Sequence, residues 1–160
     1  IGIKVMSDEE KIALVDRLSK YGRVYISSEG PVPDELKDKL LKTPYHLIHH
    51  VLAFAQLVFS EGATIASEAA VLGVHALYVN TIQSGSTREQ SERYGLLYCF
   101  HDPDERFRQA ADKAVELLET PHLVEMGQAK RRKLLEEKVD INGYFMQEME
   151  RLVKVGRKGK

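Results

Sequence analysis

The sequence predicts an α/β protein, with a Rossmann-like parallel sheet of four or five strands, helices on both faces and extra C-terminal helices. Four short segments rich in β-branched and aromatic residues occur at 23–27, 57–59, 76–79 and 96–100. Helical patterns separate these segments, and only helical patterns follow residue 100. Strands that alternate with helices are typical of βαβ units, whose strands run parallel and are covered on both faces.

The first half of the chain has clear start and stop signals. Ser7 and Glu10 form a capping box that opens a helix of apolar residues at helical spacing, and Gly22 ends it. The segment "RVYIS" (23–27) is the first predicted strand. We then expect a short helix in "PDELKDKLL" and a helix over 44–55, whose apolar residues recur three and four positions apart.

The second half continues the alternation with strands over 57–59, 76–79 and 96–100. The predicted helices are one that ends at Gly73, one from Ser86 to Gly95, one from Asp102 or Asp104 to about Thr120, one from Pro121 to about Lys138, and one that Asp140 caps.

Length and charge restrict the class of protein. At 160 residues the chain is long enough to bury about 70% of its unfolded surface, so it needs no disulfide or metal to fold. We expect one lobe over 1–155 and a flexible basic tail over 156–160. The sequence has 23 basic and 24 acidic residues, so its net charge gives no attraction to nucleic acid. Nucleic acid is therefore not expected as a partner.

The single cysteine and the first residue bear on cellular context. Cys99 lies alone in an apolar stretch, which predicts a buried thiol in a reducing, cytoplasmic compartment. No apolar run has transmembrane length, and no signal peptide opens the sequence. Because the sequence begins with Ile1 rather than Met, we expect it to be a piece of a longer protein.

The turn after residue 59 is the main candidate site. Gly62, Ala63 and Thr64 lie where a helix is predicted to begin, so their backbone N–H groups have no partner within that helix. Such donors, together with the positive end of the helix dipole, bind anions and above all phosphate. The alternative interpretation is that small residues here only allow tight packing of a strand–helix turn.

Glu68 adds a second feature to this turn. It lies among Ala, Ile, Val and Leu on the predicted helix, where a carboxylate is costly unless it pairs or faces a cleft. It comes roughly 6–9 Å beyond the turn at a rise of 1.5 Å per residue. That separation suits an acceptor for a ribose diol whose diphosphate binds the helix end. Alternatively, Glu68 is a surface position or the partner of an Arg or Lys.

The segment "GATIASEAAVLG", followed by "VHALYVN", resembles the nucleotide-binding segment of GT-B glycosyltransferases and non-hydrolysing UDP-GlcNAc 2-epimerases. In those proteins it lies in the C-terminal lobe. A longer set of segments resembles a prokaryotic family of the same superfamily without an assigned reaction. These are "SDEEKIALVDRLSKYGRVYISSEGPVPDEL", "IHHVLAFAQLVFSEGATIASEAAVLG", "ERYGLLYCF" and "LLEEKVDI".

The resemblance implies a UDP-type sugar as ligand and an N-terminal lobe of the same protein as partner. The backbone N–H groups of residues 62–64 would bind the diphosphate, and Glu68 would accept hydrogen bonds from the ribose hydroxyls. Base or sugar contacts would come from the secondary candidates, Ser28, Glu29, His49 and His50. The catalytic residues stay unassigned, since the base and acceptor site of such enzymes come largely from the other lobe.

Two residues depart from the pattern of that superfamily. Glu61 stands where its members tend to have Asp or Ser, and a carboxylate there repels a diphosphate unless it turns away or binds a cation. His75 replaces the usual Pro that follows "LG". Glu61 therefore favours an alternative function, a degenerate lobe that no longer binds a donor and acts in assembly or regulation.

Metal and cofactor chemistry are not predicted. His46, His49 and His50 lie three and four positions apart, but no cysteine pair or HExxH pattern supplies the further ligands that zinc requires. We expect no metal site and no cofactor, because the backbone amides of the turn would neutralise the diphosphate.

Overall fold

The computed structural model describes residues 5–158 of the chain, and side chains up to residue 154. In this part of the chain an open parallel sheet of three strands is surrounded by seven α-helices. The strands are β1 (Leu57–Ser60), β2 (His75–Val79) and β3 (Leu97–Phe100), in that spatial order. The helices are α1 (Asp8–Leu18), α2 (Ile48–Ala53), α3 (Ala63–Val71), α4 (Gly85–Glu92), α5 (Arg106–Leu118), α6 (Leu123–Glu137) and α7 (Ile141–Lys158).

Helices cover both faces of the sheet, as the continuous apolar strands predict. All five residues of β2 are buried. Ala76 and Tyr78 point to the face that α3 covers with Ala66, Ala69 and Ala70. Leu77 and Val79 point to the opposite face, where they meet residues of α5 and α1, namely Phe107, Ala110, Ala114, Leu117, Leu14 and Leu18. The α/β class is therefore confirmed, with one core on each side of the sheet.

Some helix ends lie where the sequence predicts them, and others differ. Ser7 Oγ accepts the Glu10 N–H at 3.2 Å and the Glu10 carboxylate accepts the Ser7 N–H at 2.8 Å, which confirms the capping box. The cap of α4 is Ser84 rather than Ser86. The helix predicted over 44–55 is divided into a 3-10 turn, Tyr45–Leu47, and the short helix α2.

The prediction of four or five strands is wrong for the described residues. In the predicted strand 23–27 only Ile26 pairs, in an isolated parallel bridge with Leu40. Ile26 N–H donates to Lys39 O at 2.9 Å, and Leu41 N–H donates to Ile26 O at 2.8 Å. The segment does not join β1, because a groove separates the two. The composition of the segment favours a strand, but a strand forms only where a neighbouring strand supplies hydrogen bonds.

Two glycines allow α6 to approach the end of α3 closely. Gly73 ends α3 with φ +83°, and Val74 N–H bonds Ala69 O at 2.9 Å. A Cβ added at Gly127 of α6 would overlap the carbonyl oxygen of Gly73. Gln128 Nε2 and Arg131 Nε donate to the Leu72 and Val71 carbonyls at 3.0 and 2.9 Å. Bonds from α6 thus satisfy acceptors that α3 leaves open at its C-terminus.

This close approach makes Gly127 a sensitive position. We expect Gly127→Ala to lower the free energy of unfolding by about 1–3 kcal/mol, because the new methyl group meets rigid backbone and α6 must shift outward. That loss outweighs the gain of up to about 1 kcal/mol that alanine brings to a helix interior. Chemical denaturation measures the change. The control is Gly85→Ala in α4, where no atom beyond the adjacent residues and the backbone of the same helix lies within 4 Å of the added carbon. Equal stability of the two variants would contradict the packing described here.

The C-terminal part of the described chain is the amphipathic helix α7. Its apolar side chains are exposed, among them Tyr144, Phe145, Met146, Met149 and Leu152. Among residues 5–158 no helix is both long enough and apolar enough to cross a membrane. The flexible tail predicted over 156–160 falls partly outside the described residues: the backbone of α7 runs to Lys158, and 159–160 are not described.

Candidate functional site

The candidate site lies where β1 turns into α3, at the carboxyl edge of the sheet. Ser60 Oγ accepts the Gly62 N–H at 3.0 Å and donates to Gly62 O at 3.0 Å, which closes the turn. Gly62 is the N-cap of α3, and no side chain caps this helix. The turn thus uses one of the three amides that the sequence assigns to the diphosphate, that of Gly62.

The tip of α3 still presents three free donors. The first bond into the helix runs from Ala66 N–H to Gly62 O at 3.3 Å. The N–H groups of Ala63, Thr64 and Ile65 donate no hydrogen bond to any described residue. Gly62 and Thr64 are exposed to solvent. The tip is therefore open and carries the partial positive charge of the helix dipole. Ile65 is a donor that the sequence reading missed, although it occupies the third position of the same helix.

Glu68 lies on the same helix and meets His49 of α2. The Glu68 Oε2 to His49 Nε2 distance is 3.2 Å, and the side chains are 36% and 56% exposed. The structure therefore brings together two candidate residues that the sequence placed in separate segments. A contact this exposed contributes at most about 0–1 kcal/mol, because water screens it. The pairing holds Glu68 in place without preventing the carboxylate from accepting other hydrogen bonds.

Glu61, which precedes the N-cap of α3, forms two hydrogen bonds to other segments of the chain. Its Oε1 accepts the Met6 N–H at 2.8 Å, and its carbonyl oxygen accepts Asn80 Nδ2 at 2.9 Å. The carboxylate is thus used to hold the segment that leads into α1. The carboxylate therefore has a structural role, and the repulsion of a diphosphate that the sequence predicts for this residue stays a prediction.

Two polar residues that sequence reading missed lie at the same edge of the sheet. Asn80 follows β2, accepts the Ile82 N–H at 3.1 Å and links that loop to Glu61. His101 follows β3, and its Nδ1 lies 2.5 Å from Asn80 O. Since a carbonyl oxygen only accepts, Nδ1 is the donor in this contact. Each is the first polar residue after an apolar strand, a signal visible in the sequence.

The remaining secondary candidates are not part of this cluster of contacts. Ser28 Oγ bonds both the N–H and the carbonyl of Gly30, at 3.3 and 3.0 Å, in a Ser-Glu-Gly turn like that of 60–62. Ser28 also lines a cavity of about 280 Å³ with Thr43 and Ile48. Glu29 and His50 are exposed and make no hydrogen bond or ion pair with other described residues.

A larger groove of about 740 Å³ runs beside the candidate site. It reaches Ser60 and Ile65, whereas residues 62–64 and Glu68 lie outside its walls. Among the described residues, no group of three or more His, Cys, Asp or Glu side chains is arranged to hold a metal ion. The tip of α3 offers backbone N–H donors of the kind that bind anions, and Glu68 offers a carboxylate acceptor on the same helix.

Comparisons with known proteins give similarity to solved structures and no match among family models or curated proteins. No protein-family model matches the chain, and a search of curated proteins finds no match. The fold is similar to a crystal structure described as the glycotransferase of kitacinnamycin, with a TM-score of 0.49 and 16% sequence identity. The similarity covers 83% of this chain and 37% of that one.

Proposed function

We propose that this chain is the C-terminal, nucleotide-diphosphate-sugar-binding lobe of a two-lobed glycosyltransferase or sugar epimerase of the GT-B type, with a UDP-type sugar as ligand. The observation that carries the proposal is the exposed tip of α3. It combines the free amides of Ala63, Thr64 and Ile65 with a carboxylate acceptor, Glu68, on the same helix. Amides suit the diphosphate, and a carboxylate suits the ribose diol.

The position of the tip in the fold supports this function. In open parallel sheets ligands bind outside the carboxyl ends of the strands. The tip of α3 is at that edge, as are Asn80 and His101. Glu61, which carries the nearest carboxylate in the chain, bonds the Met6 amide. At the tip itself, the negative charge of a diphosphate would meet N–H donors and the positive helix end.

The proposed chemistry assigns charge stabilisation to this lobe. When the bond between the sugar and the diphosphate breaks, negative charge grows on the departing diphosphate. Amides that already point at the diphosphate stabilise this charge without reorganising during the reaction. The general base and the acceptor site would come from an N-terminal lobe across the cleft, so the chain alone would bind the donor and not turn it over.

A second candidate function is a degenerate lobe that acts in assembly or regulation. The contact between Glu68 and His49 favours it, because it gives the carboxylate a structural partner that needs no ligand. Under this alternative neither UDP nor a UDP-sugar would bind, and the contact would serve only to join α2 to α3.

Ligand-induced stabilisation distinguishes the two functions. We expect UDP and UDP-GlcNAc to raise the melting temperature, with a gain of about 2.7 kcal/mol at a ligand concentration one hundred times the dissociation constant. Uridine, which lacks the diphosphate, is the matched control and should stabilise much less. If neither nucleotide stabilises the chain at millimolar concentration, donor binding is excluded and the degenerate lobe is favoured.

The substitution Ala63→Pro tests the helix tip without disrupting the helix. Proline is tolerated at the first helical position, and the extended conformation of Gly62 (φ −97°, ψ 125°) is compatible with a following proline. The change removes one N–H donor. We expect affinity for UDP to fall about tenfold, which corresponds to one hydrogen bond to a charged group, with little change in melting temperature.

The matched control for this variant is Asp8→Pro at the first position of α1, whose N-cap Ser7 is also extended. It should leave UDP affinity unchanged. Isothermal titration calorimetry compares the two proteins. Equal affinity in both would show that the amides of α3 do not contact the ligand.

A further inference from the structure

A groove of about 740 Å³ separates β1 from the segment that follows α1. All four residues of β1 form one wall, and residues 21–25 form the opposite wall. β1 pairs with β2 on one side, and its other edge pairs with no described strand. An exposed edge of this kind presents backbone donors and acceptors in a row, which is the template that another strand recognises.

The other two sides of the groove are apolar. Leu18 and Leu118 close it on the face of α1 and α5, and Ile48, Val51 and Leu41 close it on the face of α2. A strand between these sides would be buried on both faces, so it would consist of consecutive apolar residues rather than alternate with polar ones. At about 3.3 Å per residue, four or five residues match the length of β1.

The handedness of the crossovers indicates which strand fits. Crossovers in parallel sheets are right-handed, so helices on opposite faces carry the chain in opposite directions across the sheet. α3 carries it from β1 to β2 on one face. α1 lies on the other face against α5, where Arg17 bonds Asp112 at 2.7 Å. α1 therefore leads away from β2, and the chain that follows it reaches residues 23–27 beyond the groove.

The start of α1 indicates where the strand that precedes it would end. Met6 N–H donates to the Glu61 carboxylate at 2.8 Å, directly after the carboxyl end of β1. A strand that runs parallel to β1 ends at this edge. The strand that a right-handed crossover places before α1 would thus lie between β1 and residues 23–27, which is where the groove is. The parallel bridge between Ile26 and Leu40 shows that pairing resumes on the far side.

We propose that the groove holds a β-strand of four or five consecutive apolar residues, parallel to β1, that belongs to polypeptide preceding Ile1 in a longer protein. With this strand in place, β1 becomes an interior strand and Ile26 joins the same sheet. The edge of a second copy does not suit the groove, because residues 21–25 wall it off and a two-fold axis pairs strands antiparallel. This inference is independent of the proposed ligand.

An extended chain tests the proposal. The strand Val-Ile-Val-Val-Ile is fused before Ile1 through a flexible linker of four Gly-Ser pairs, which keeps it at millimolar effective concentration. We expect hydrogen exchange of those β1 amides that face away from β2 to slow by at least about tenfold relative to the unextended chain. Amides at the outer edge of β3, the other edge of the described sheet, should not change. Cross-strand nuclear Overhauser contacts should join the last residue of the added strand to Ser60.

The matched control carries Val-Ile-Pro-Val-Ile, since proline removes a donor and is excluded from the middle of a sheet. It should leave exchange in β1 unchanged. The proposal is overturned by equal slowing in both extended chains, by no slowing in either, by slowing at β3 instead of β1, or by contacts that show antiparallel pairing.

Discussion

Lowering the pH from 7.5 to 4 is expected to remove about 3 kcal/mol of folding stability through His75 alone. His75 begins β2, is 1% exposed and lies beneath α6. Burial, and then the positive charges of Lys130 and Lys113, lower its pKa from 6.5 to about 4. Its Nδ1 lies 3.3 Å from the hydroxyl of Tyr98, whose ring stacks on the imidazole.

The sign of the pH effect follows from the difference in the pKa of His75 between the unfolded and the folded state. The unfolded chain takes up the proton near pH 6.5, whereas the folded protein keeps the ring neutral down to about pH 4. His75 therefore contributes its full stabilisation above pH 6.5, and this is lost as the pH falls from 6.5 through 4. Urea unfolding at several pH values measures the loss.

Variants isolate the contribution of His75 from that of other groups. In His75→Gln no ring can titrate, so stability should fall much less over this pH range, whatever the substitution costs at pH 7.5. The control is His46→Gln, which changes an exposed histidine and should retain the wild-type dependence. A His75→Gln variant whose stability follows pH as steeply as the wild type would show that the buried ring is not the source.

Replacing Glu68 by alanine is expected to weaken UDP binding by about tenfold to a hundredfold, the range for hydrogen bonds to a charged group. The carboxylate would lose its contacts with both ribose hydroxyls. The fold should tolerate the change, because Glu68 is 36% exposed and its contact with His49 is screened. Calorimetric titration with UDP measures the affinity, and thermal unfolding checks the fold.

A second glutamate supplies a close control for this variant. Glu125 lies in the first part of α6, exposed, with His122 Nδ1 at 3.9 Å. Glu125→Ala thus removes a helix carboxylate beside a histidine, as Glu68→Ala does, and should leave UDP affinity unchanged. His49→Gln separates the two roles of Glu68: affinity that survives this change but not Glu68→Ala indicates that the carboxylate contacts the ligand itself. Unchanged affinity in Glu68→Ala would exclude the ribose role.

The order of helices and strands could be read from the sequence because its signals are local. The capping box of Ser7 and Glu10 and the glycine at 73 each act within a few residues of themselves. The number of strands in the sheet could not be predicted from local signals of this kind. The segment 23–27 has the composition of a strand, but a strand forms only where a neighbour supplies hydrogen bonds, and Ile26 alone finds one.

The sequence predicts less of the candidate site than of the fold. A free helix tip at 62–64 follows from the turn itself, but the use of the Gly62 amide by Ser60 depends on a rotamer that the sequence does not specify. The orientation of Glu61 depends on Met6, 55 residues away. Asn80 and His101 could have been proposed, since each directly follows an apolar strand.

Amide chemical-shift mapping of the labelled chain during a titration with UDP tests the central claim most directly, with pyrophosphate and uridine titrated in parallel. We expect pyrophosphate to shift the amides of Ala63, Thr64 and Ile65, uridine to shift residues around Glu68, and UDP to shift both sets together. Saturable shifts at another part of the chain, or none at these residues with millimolar UDP, would contradict a diphosphate and ribose site on α3.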